Sequence, residues 1–377
     1  MRNSLPNNAA ALIVATSSPG EVRALALDGE IALDTAIERP GGPLGPEDRV
    51  VGRIRAQVAA MAGAFVALPG AEPDGFLPDT AGAAGVAEGT YLALRVTRGP
   101  QGGKGCRLAA LAEPAEGPPR LLARGPGAVE RLAKLHPEAA IRVDRPGLAA
   151  ALPIALRPRV SVGLGDEASY AEAVWAALAE PEVALANGAR FSITPTPALT
   201  AIDVDTGSAT AEKRAKKDAQ LALNRAVIPV IARHIRLRHL AGAIVVDLAG
   251  LPQRQRPLMA DAFQTALATD PLSPRFLGFS ALGLAEIQRS RAAPPLHELL
   301  SSDHAAGLAA LAALARALEM RPSGRDRLAV SPAVLGAIDA DSVAVGQFRD
   351  RTGRLPSLYA ESIFGDHHRS WRLVTDL

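Results

Sequence analysis

The sequence predicts an α/β and α+β protein of several domains, one of them a small β-barrel. Three observations point there. Two apolar strand candidates, within Ala198–Gly207 and Ala243–Leu248, flank a long stretch of helical periodicity, the strand–helix–strand pattern of an α/β layer. Five short strand-like pieces crowd into residues 47–112, separated by Gly, Pro and Asp turns. At 377 residues the chain is long enough for two or three domains.

In chain order, residues 11–16 and 22–36 read as short strands joined at Pro19-Gly20, and Pro40-Gly-Gly-Pro43 then breaks the pattern. Arg49–Arg55, Ala64–Leu68, Gly75–Pro78, Tyr91–Val96 and Gly105–Ala109 are the five barrel strands, an OB-fold arrangement. Gly99-Pro-Gln-Gly-Gly-Lys104 is a glycine-rich hairpin carrying a lysine. It is not a phosphate-binding loop, because Arg98 stands where that motif needs Gly and Gly105 where it needs Ser or Thr. Residues 113–119 are a linker by composition. A helix over 128–136, a strand over 140–143 and an Ala-rich helix over 168–179 follow, with Trp175 expected in the core.

Residues 185–292 carry the chemistry. In Ala198-Leu-Thr-Ala-Ile-Asp-Val-Asp-Thr-Gly207 apolar and polar residues alternate, so Asp203 and Asp205 share one face of a strand. Ala243-Ile-Val-Val-Asp247 ends in a third carboxylate. Acids at the ends of two apolar strands are costly unless a positive group sits between them, and a magnesium ion, which takes only one or two carboxylates, is the simplest one. For any one of these aspartates alone, a turn- or helix-capping role is the simpler reading.

Between Glu212 and His239 stand Lys213, Arg214, Lys216, Lys217, Arg225, Arg233, Arg236 and Arg238, while Leu223, Val227, Val230, Ile231 and Ile235 recur at helical spacing. The segment reads as an amphipathic helix with a basic, phosphate-contacting face, kinked or split at Pro229. Arg254 and Arg256 are expected to be solvated. Beyond Pro294-Pro295, residues 302–377 offer a helix over 305–318, strand pieces at 328–330 and 342–345, and a polar tail in which His367 and His368 form a surface pair.

Composition excludes several classes. Hydrophobic residues at 48% and charged ones at 21% describe a globular chain, with a core resting on Ala, Leu and Val because aromatics are only 3%. The formal charge of +2 is uninformative about partners, so local clusters must carry any nucleic-acid argument. The single Cys106 excludes an intrachain disulfide and a cysteine-rich zinc site. No apolar run of membrane-spanning length and no signal peptide is read, so a cytoplasmic protein is expected.

The string Leu199-Thr-Ala-Ile-Asp-Val-Asp-Thr-Gly207, Ile231-Ala-Arg-His-Ile-Arg-Leu-Arg238, Gly242-Ala-Ile-Val-Val-Asp247 and Gly283-Leu-Ala-Glu-Ile-Gln-Arg-Ser-Arg291 resembles the catalytic core of the ribonuclease E/G family in order and spacing. The resemblance implies an RNase H-like subdomain from residues 1–46 and 120–184, interrupted by the OB-fold barrel at 47–112. A DNase I-like α/β catalytic subdomain at 185–292 and a small C-terminal domain at 302–377 would follow. Gly63-Ala-Phe-Val and Asp74-Gly-Phe-Leu-Pro78 resemble the RNA-binding barrel named after ribosomal protein S-one. There Phe65 and Phe76 would stack bases and Lys104 would meet a phosphate or base edge, although a core position for Phe65 is an equal alternative.

The implied activity is endoribonucleolytic cleavage of single-stranded RNA in RNA processing or decay, leaving 5′-phosphate ends. Asp203 and Asp247 would hold Mg²⁺, with Mn²⁺ as a substitute, to polarise the phosphate and acidify a bound water. Asp205 would assist, and Lys213, Arg214, Arg236, Arg289 and Arg291 would contact RNA. The short gap after the barrel implies no 5′-end sensor, and the lack of Cys after Pro295 implies no structural zinc. A homodimer would then form without a zinc link, and association with a larger RNA-processing assembly is compatible.

Three departures stand against full activity. Asp205 replaces the family's usual Asn, Asn224-Arg-Ala-Val227 replaces Asn-Leu-Glu-Ala, and Leu248-Ala-Gly250 lacks a second acid. An RNA-binding protein with weakened or lost nuclease activity is the alternative.

Overall fold

A computed structural model describes residues 10–185, 188–205, 213–361, 364 and 369–375, without the side chains of 71–72 and 213–219. The chain forms two compact units. One holds residues up to 16, 24–36 and 132–301; the other holds 17–23, 37–131 and 302–377.

The chain opens with β1 (Leu12–Ser18), β2 (Glu21–Asp28) and β3 (Ile31–Glu38). The expected single strand over 22–36 is therefore a hairpin, turned at Gly29, whose φ of 57° suits glycine. Next come β4 (Arg49–Val58), β5 (Gly63–Leu68), β6 (Ala71–Pro78), β7 (Tyr91–Arg98) and β8 (Arg107–Ala110). They run in the order β5-β6-β8-β7-β4, and β4 pairs back with β5 to close a five-stranded barrel compatible with an OB-fold. Val50, Ile54, Val66, Leu77, Leu94 and Leu108 fill it, alternating with outward residues. The expected linker ends in a further strand, β9 (Arg120–Ala123), added to β4.

The helix α1 (Ala128–Leu135), β10 (Ala140–Val143), α2 (Pro146–Ala151), β11 (Val160–Val162) and α3 (Asp166–Ala179) follow, and β10 and β11 extend the first sheet in the order β11-β10-β1-β2-β3. Trp175 is buried on α3, as expected.

The central layer is built from β12 (Glu182–Ala184), β13 (Arg190–Pro195), β14 (Thr200–Asp205), α4 (Lys213–Leu237), β15 (Gly242–Asp247), α5 (Ala260–Leu267), β16 (Arg275–Phe279) and β17 (Ala285–Arg289). The strand order is β12-β13-β14-β15-β17-β16, and only β14 and β15 are parallel within it. Parallel neighbours need a crossover, and α4 supplies it. Its Val227, Ile228, Ile231 and Ile235 pack with Phe263 of α5 against Ile202, Val204, Ile244 and Val246. The sheet is thus covered by helices on one face.

α4 runs unbroken through Pro229, so the expected split does not occur. Near its C-terminus the basic residues serve packing. Arg236 is buried and clamps Asp34, Nε to Oδ1 at 2.5 Å. Burial pushes Asp34 up, but hydrogen bonds from His136 and Arg236 outweigh it and hold the carboxyl below its usual range. His136 Nδ1 accepts from Ala10 N at 3.0 Å, so its Nε2 carries the proton given to Asp34. Arg238 donates to the carbonyls of Leu178 at 2.9 Å and Glu180 at 2.6 Å, satisfying the end of α3.

His234 stands edge-on to Phe191 and accepts from Arg238 Nε on Nδ1 at 3.3 Å. Burial, then the charges of Arg238 and Arg233, push it down from 6.5 to about 3. Its folded value lies below the unfolded one, so between pH 6.5 and 3 the unfolded chain binds the extra proton. The fold therefore loses stability as pH falls through that window and is unaffected by this group above it. Thermal melts from pH 7 to 4 should show a falling Tm, and His234→Asn, which keeps an acceptor, should flatten part of the fall.

The remainder holds α6 (Leu296–Leu300), α7 (Asp303–Met320), β18 (Arg327–Val330), α8 (Pro332–Ala340), α9 (Ser342–Thr352), β19 (Leu358–Ala360) and β20 (Trp371–Val374). The expected strand at 342–345 is the start of α9. Asp341 accepts from Ala344 N at 2.8 Å and caps it, a local signal stronger than the brief Val-Ala-Val alternation. His367 and His368 lie outside the described residues. Among the described residues no helix is long and apolar enough to cross a membrane.

Candidate active site

Alternation along β14 turns Ile202 and Val204 into the core and Asp203 and Asp205 to the open face. β15 does the same, with Ile244 and Val246 inward and Asp247 outward. The parallel register sets Asp203 directly beside Asp247. Adjacent strands lie about 4.8 Å apart, so the two carboxylates share one patch of surface at the carboxyl ends of parallel strands, where open α/β sheets bind ligands.

Asp247, with a side chain 49% exposed, accepts from Arg256 Nη1 on Oδ1 at 2.7 Å. Arg256 is itself held by the carbonyls of Gly283 at 2.7 Å and Leu251 at 3.1 Å, and only 14% of its side chain is exposed. A Cβ on Gly283 would sit 2.8 Å from Arg256 Cδ, and its φ of +85° also favours glycine. The glycine that opens the Gly283–Arg291 motif thus makes room for the arginine that flanks Asp247. The expectation of a solvated Arg256 is corrected: its partners come from a turn after β15 and a loop before β17, which no local pattern reveals. Arg256→Ala would leave two carbonyls and a carboxylate without their donor. It should cost about 1–3 kcal/mol in urea unfolding.

Asn224, fully buried on α4, donates Nδ2 to Ala249 O at 2.9 Å and Gln220 O at 2.8 Å, fastening the crossover helix to the turn behind Asp247. Asp205 lies two residues beyond Asp203 on the same face. It is paired to Arg190 of β13, with Nη2 at 3.1 Å and Nε at 3.2 Å from Oδ2.

The basic residues expected to meet RNA divide. Arg289 is buried, with Nε 2.7 Å from Asp270 Oδ2 and Nη1 3.0 Å from Leu240 O. Arg236 is buried against Asp34. Both guanidinium groups are consumed by packing and leave the RNA-contact set. Arg291 makes two 2.7 Å bonds to Glu298. The side chains of Lys213 and Arg214 lie outside the described residues.

On the barrel, Phe65 and Phe76 are cross-strand partners, edge-on at 5.9 Å between centroids. They alternate with core residues and so face outward, which answers the core alternative for Phe65. A Cβ on Gly63 would meet Phe76 Cζ at 2.6 Å, so the glycine lets that ring lie across the strand. Lys104 is exposed on its hairpin.

Two carboxylates abreast at parallel strand ends, with a guanidinium on one flank, define an acidic site suited to a divalent cation and a phosphate ester. Residues 165–292 match the model of the Ribonuclease E/G family. Ribonuclease E of Nostoc sp. is 38% identical over 121 residues, which are 32% of this chain and 18% of that protein. Ribonuclease G of Escherichia coli K12 is 30% identical over 125 residues, 33% of this chain and 25% of its own length. A Ribonuclease E/G-like protein of Porphyra purpurea is 32% identical over 124 residues, 33% and 24% respectively. The chain thus spans a quarter or less of the length of these relatives.

Proposed function

We propose that this protein is a magnesium-dependent endoribonuclease that cuts single-stranded RNA and leaves 5′-phosphate and 3′-hydroxyl ends. The observation that carries the reading is the register of β14 on β15, which sets Asp203 beside Asp247. The names of the relatives, ribonucleases E and G, support the same class of reaction.

The residues fit the cation. Among the described residues no group of three or more His, Cys, Asp or Glu gathers, but magnesium takes only one or two carboxylates and fills its other positions with water and phosphate. Asp203 is exposed and Asp247 half-exposed, with Oδ1 taken by Arg256, so Oδ2 of Asp247 and the carboxylate of Asp203 would hold the ion. When bound, magnesium would supply Lewis acidity toward a phosphoryl oxygen and a water acidified toward neutrality. Arg256 orients Asp247 by fixing one of its oxygens. Asp205 adds a negative charge where the family resemblance implied Asn, and Arg190 offsets that charge, which favours the enzyme over the binding-only alternative.

Phe65, Phe76 and Lys104 of the barrel would stack and steady the strand. In this reading residues 1–46 with 120–184 are the RNase H-like part and 185–292 the DNase I-like part. The barrel is 47–112 and the small C-terminal domain 302–377. The protein would act in RNA processing or decay in the cytoplasm, as a single chain, as a homodimer or within a larger assembly.

The test is incubation of the purified chain with an end-labelled A/U-rich oligoribonucleotide in Mg²⁺, in Mn²⁺ and in chelator. Internal cleavage in the metal lanes, with 5′-phosphorylated products, is expected. Binding without cleavage at every metal concentration would overturn the proposal in favour of the binding-only alternative.

A further inference from the structure

The Phe65–Phe76 pair accounts for only part of an RNA footprint, because OB barrels track about 4–16 nucleotides. The strand register shows where the footprint continues. On the outer face Ala67 stands two residues beyond Phe65, its cross-strand partner is Arg53 of β4, and the partner of Arg53 on β7 is Tyr91. The Arg53 guanidinium lies 5.8 Å from the Tyr91 ring centroid. Crossing two strands and two residues puts Tyr91 on the order of 12 Å from Phe65, within the reach of neighbouring nucleotides of one strand. An open surface recess of about 670 Å³ lies here, lined by Arg53, Tyr91, Ala67, Gly89 and Pro119.

The recess carries both signs of charge. Glu88 also lines it and keeps its negative charge, with Oε1 accepting the neutral Gln57 N–H at 3.0 Å. Arg55 is engaged by Asp74 at 3.4 Å. Arg53 is exposed and has the tyrosine ring as its neighbour, so its outer side faces solvent. Arginine planes and tyrosine rings both stack on unpaired bases, and the guanidinium also meets phosphate.

We infer that Tyr91 and Arg53 form a second nucleotide subsite on the barrel, taking a base on the aromatic–guanidinium platform and its phosphate on Arg53. Ala67 is the low ground between this subsite and Phe65–Phe76. The inference rests on the reading of the barrel as an RNA clamp.

Fluorescence anisotropy with labelled oligouridylates of increasing length tests it, using the full chain in chelator so that cleavage cannot intervene. Affinity should rise with length in the wild type. Tyr91→Ala and Arg53→Ala should lower affinity for long oligomers by about 5- to 150-fold and leave the shortest binding oligomer unaffected, since each stacked base is worth about 1–3 kcal/mol. Tyr91→Phe should bind as wild type, and Tyr91→Trp should show tryptophan fluorescence quenched by long oligomers only. A wild type that binds no RNA would sink the clamp reading itself. Wild-type binding that falls with Phe76→Ala but stands unchanged with Tyr91→Ala at every length would overturn the second subsite alone.

Discussion

Asp247→Ala is expected to reduce metal-dependent RNA cleavage by roughly a thousand-fold or more, since the several kcal/mol that a metal contributes to a phosphoryl transition state convert at about 1.4 kcal/mol per factor of ten. Asp203→Ala should cost as much. The two side chains face each other across one strand pair and would act as a unit, so the double variant should lose little more than either single one. RNA affinity should be nearly unchanged in all three, because the aromatic pair on the barrel is untouched. Stability should move little as well: Asp203 is exposed, and the loss of Asp247 removes only a half-exposed acceptor from Arg256. Single-turnover cleavage beside anisotropy separates these effects. An alanine variant at 247 that cuts at close to the wild-type rate would remove the acid pair from the mechanism.

The second large effect is on folding. Arg289→Ala should destabilise the chain by about 3–5 kcal/mol, the usual cost of stranding one partner of a buried ion pair. Asp270 and Arg289 expose only 4% and 5% of their side chains, and Asp270 Oδ1 also accepts from Leu272 N at 2.9 Å. The pair ties the C-terminal end of β17 to the turn after α5. Replacing both residues with apolar ones, as in Arg289→Met with Asp270→Leu, should recover much of the loss, because no buried charge is then left unpaired. Urea unfolding of the three variants measures this. Arg289→Ala with wild-type stability but weakened RNA binding would return Arg289 to the RNA-contacting set.

The two kinds of result have different origins in the chain. Alternation in Ala198–Gly207 marked the first strand and set Asp203 and Asp205 on one face, and the apolar run Ala243–Leu248 marked the second, because a strand side chain's face follows from its parity alone. Trp175, the outward Phe76 and the five barrel strands were legible for the same reason: burial there follows local period and turn chemistry.

Charge partners are not local. Arg236 looked like one of a row of cations on α4, yet its carboxylate, Asp34, is 202 residues away. Arg289 lies in the Gly283–Arg291 string that carries the family resemblance, and its structural role appears only when Asp270 is beside it. Arg256 looked solvated until the loop at Gly283 closed over it.

The sequence by itself determined the two acid-bearing strands, the five barrel strands, the shared face of Asp203 and Asp205 and which family the segment resembles, since these depend on backbone period and residue type. Only the tertiary structure decided that Asp203 and Asp247 are neighbours and which arginine attends them. It likewise decided which arginines are spent holding the fold, because strand register and ion pairing are chosen by packing between distant segments.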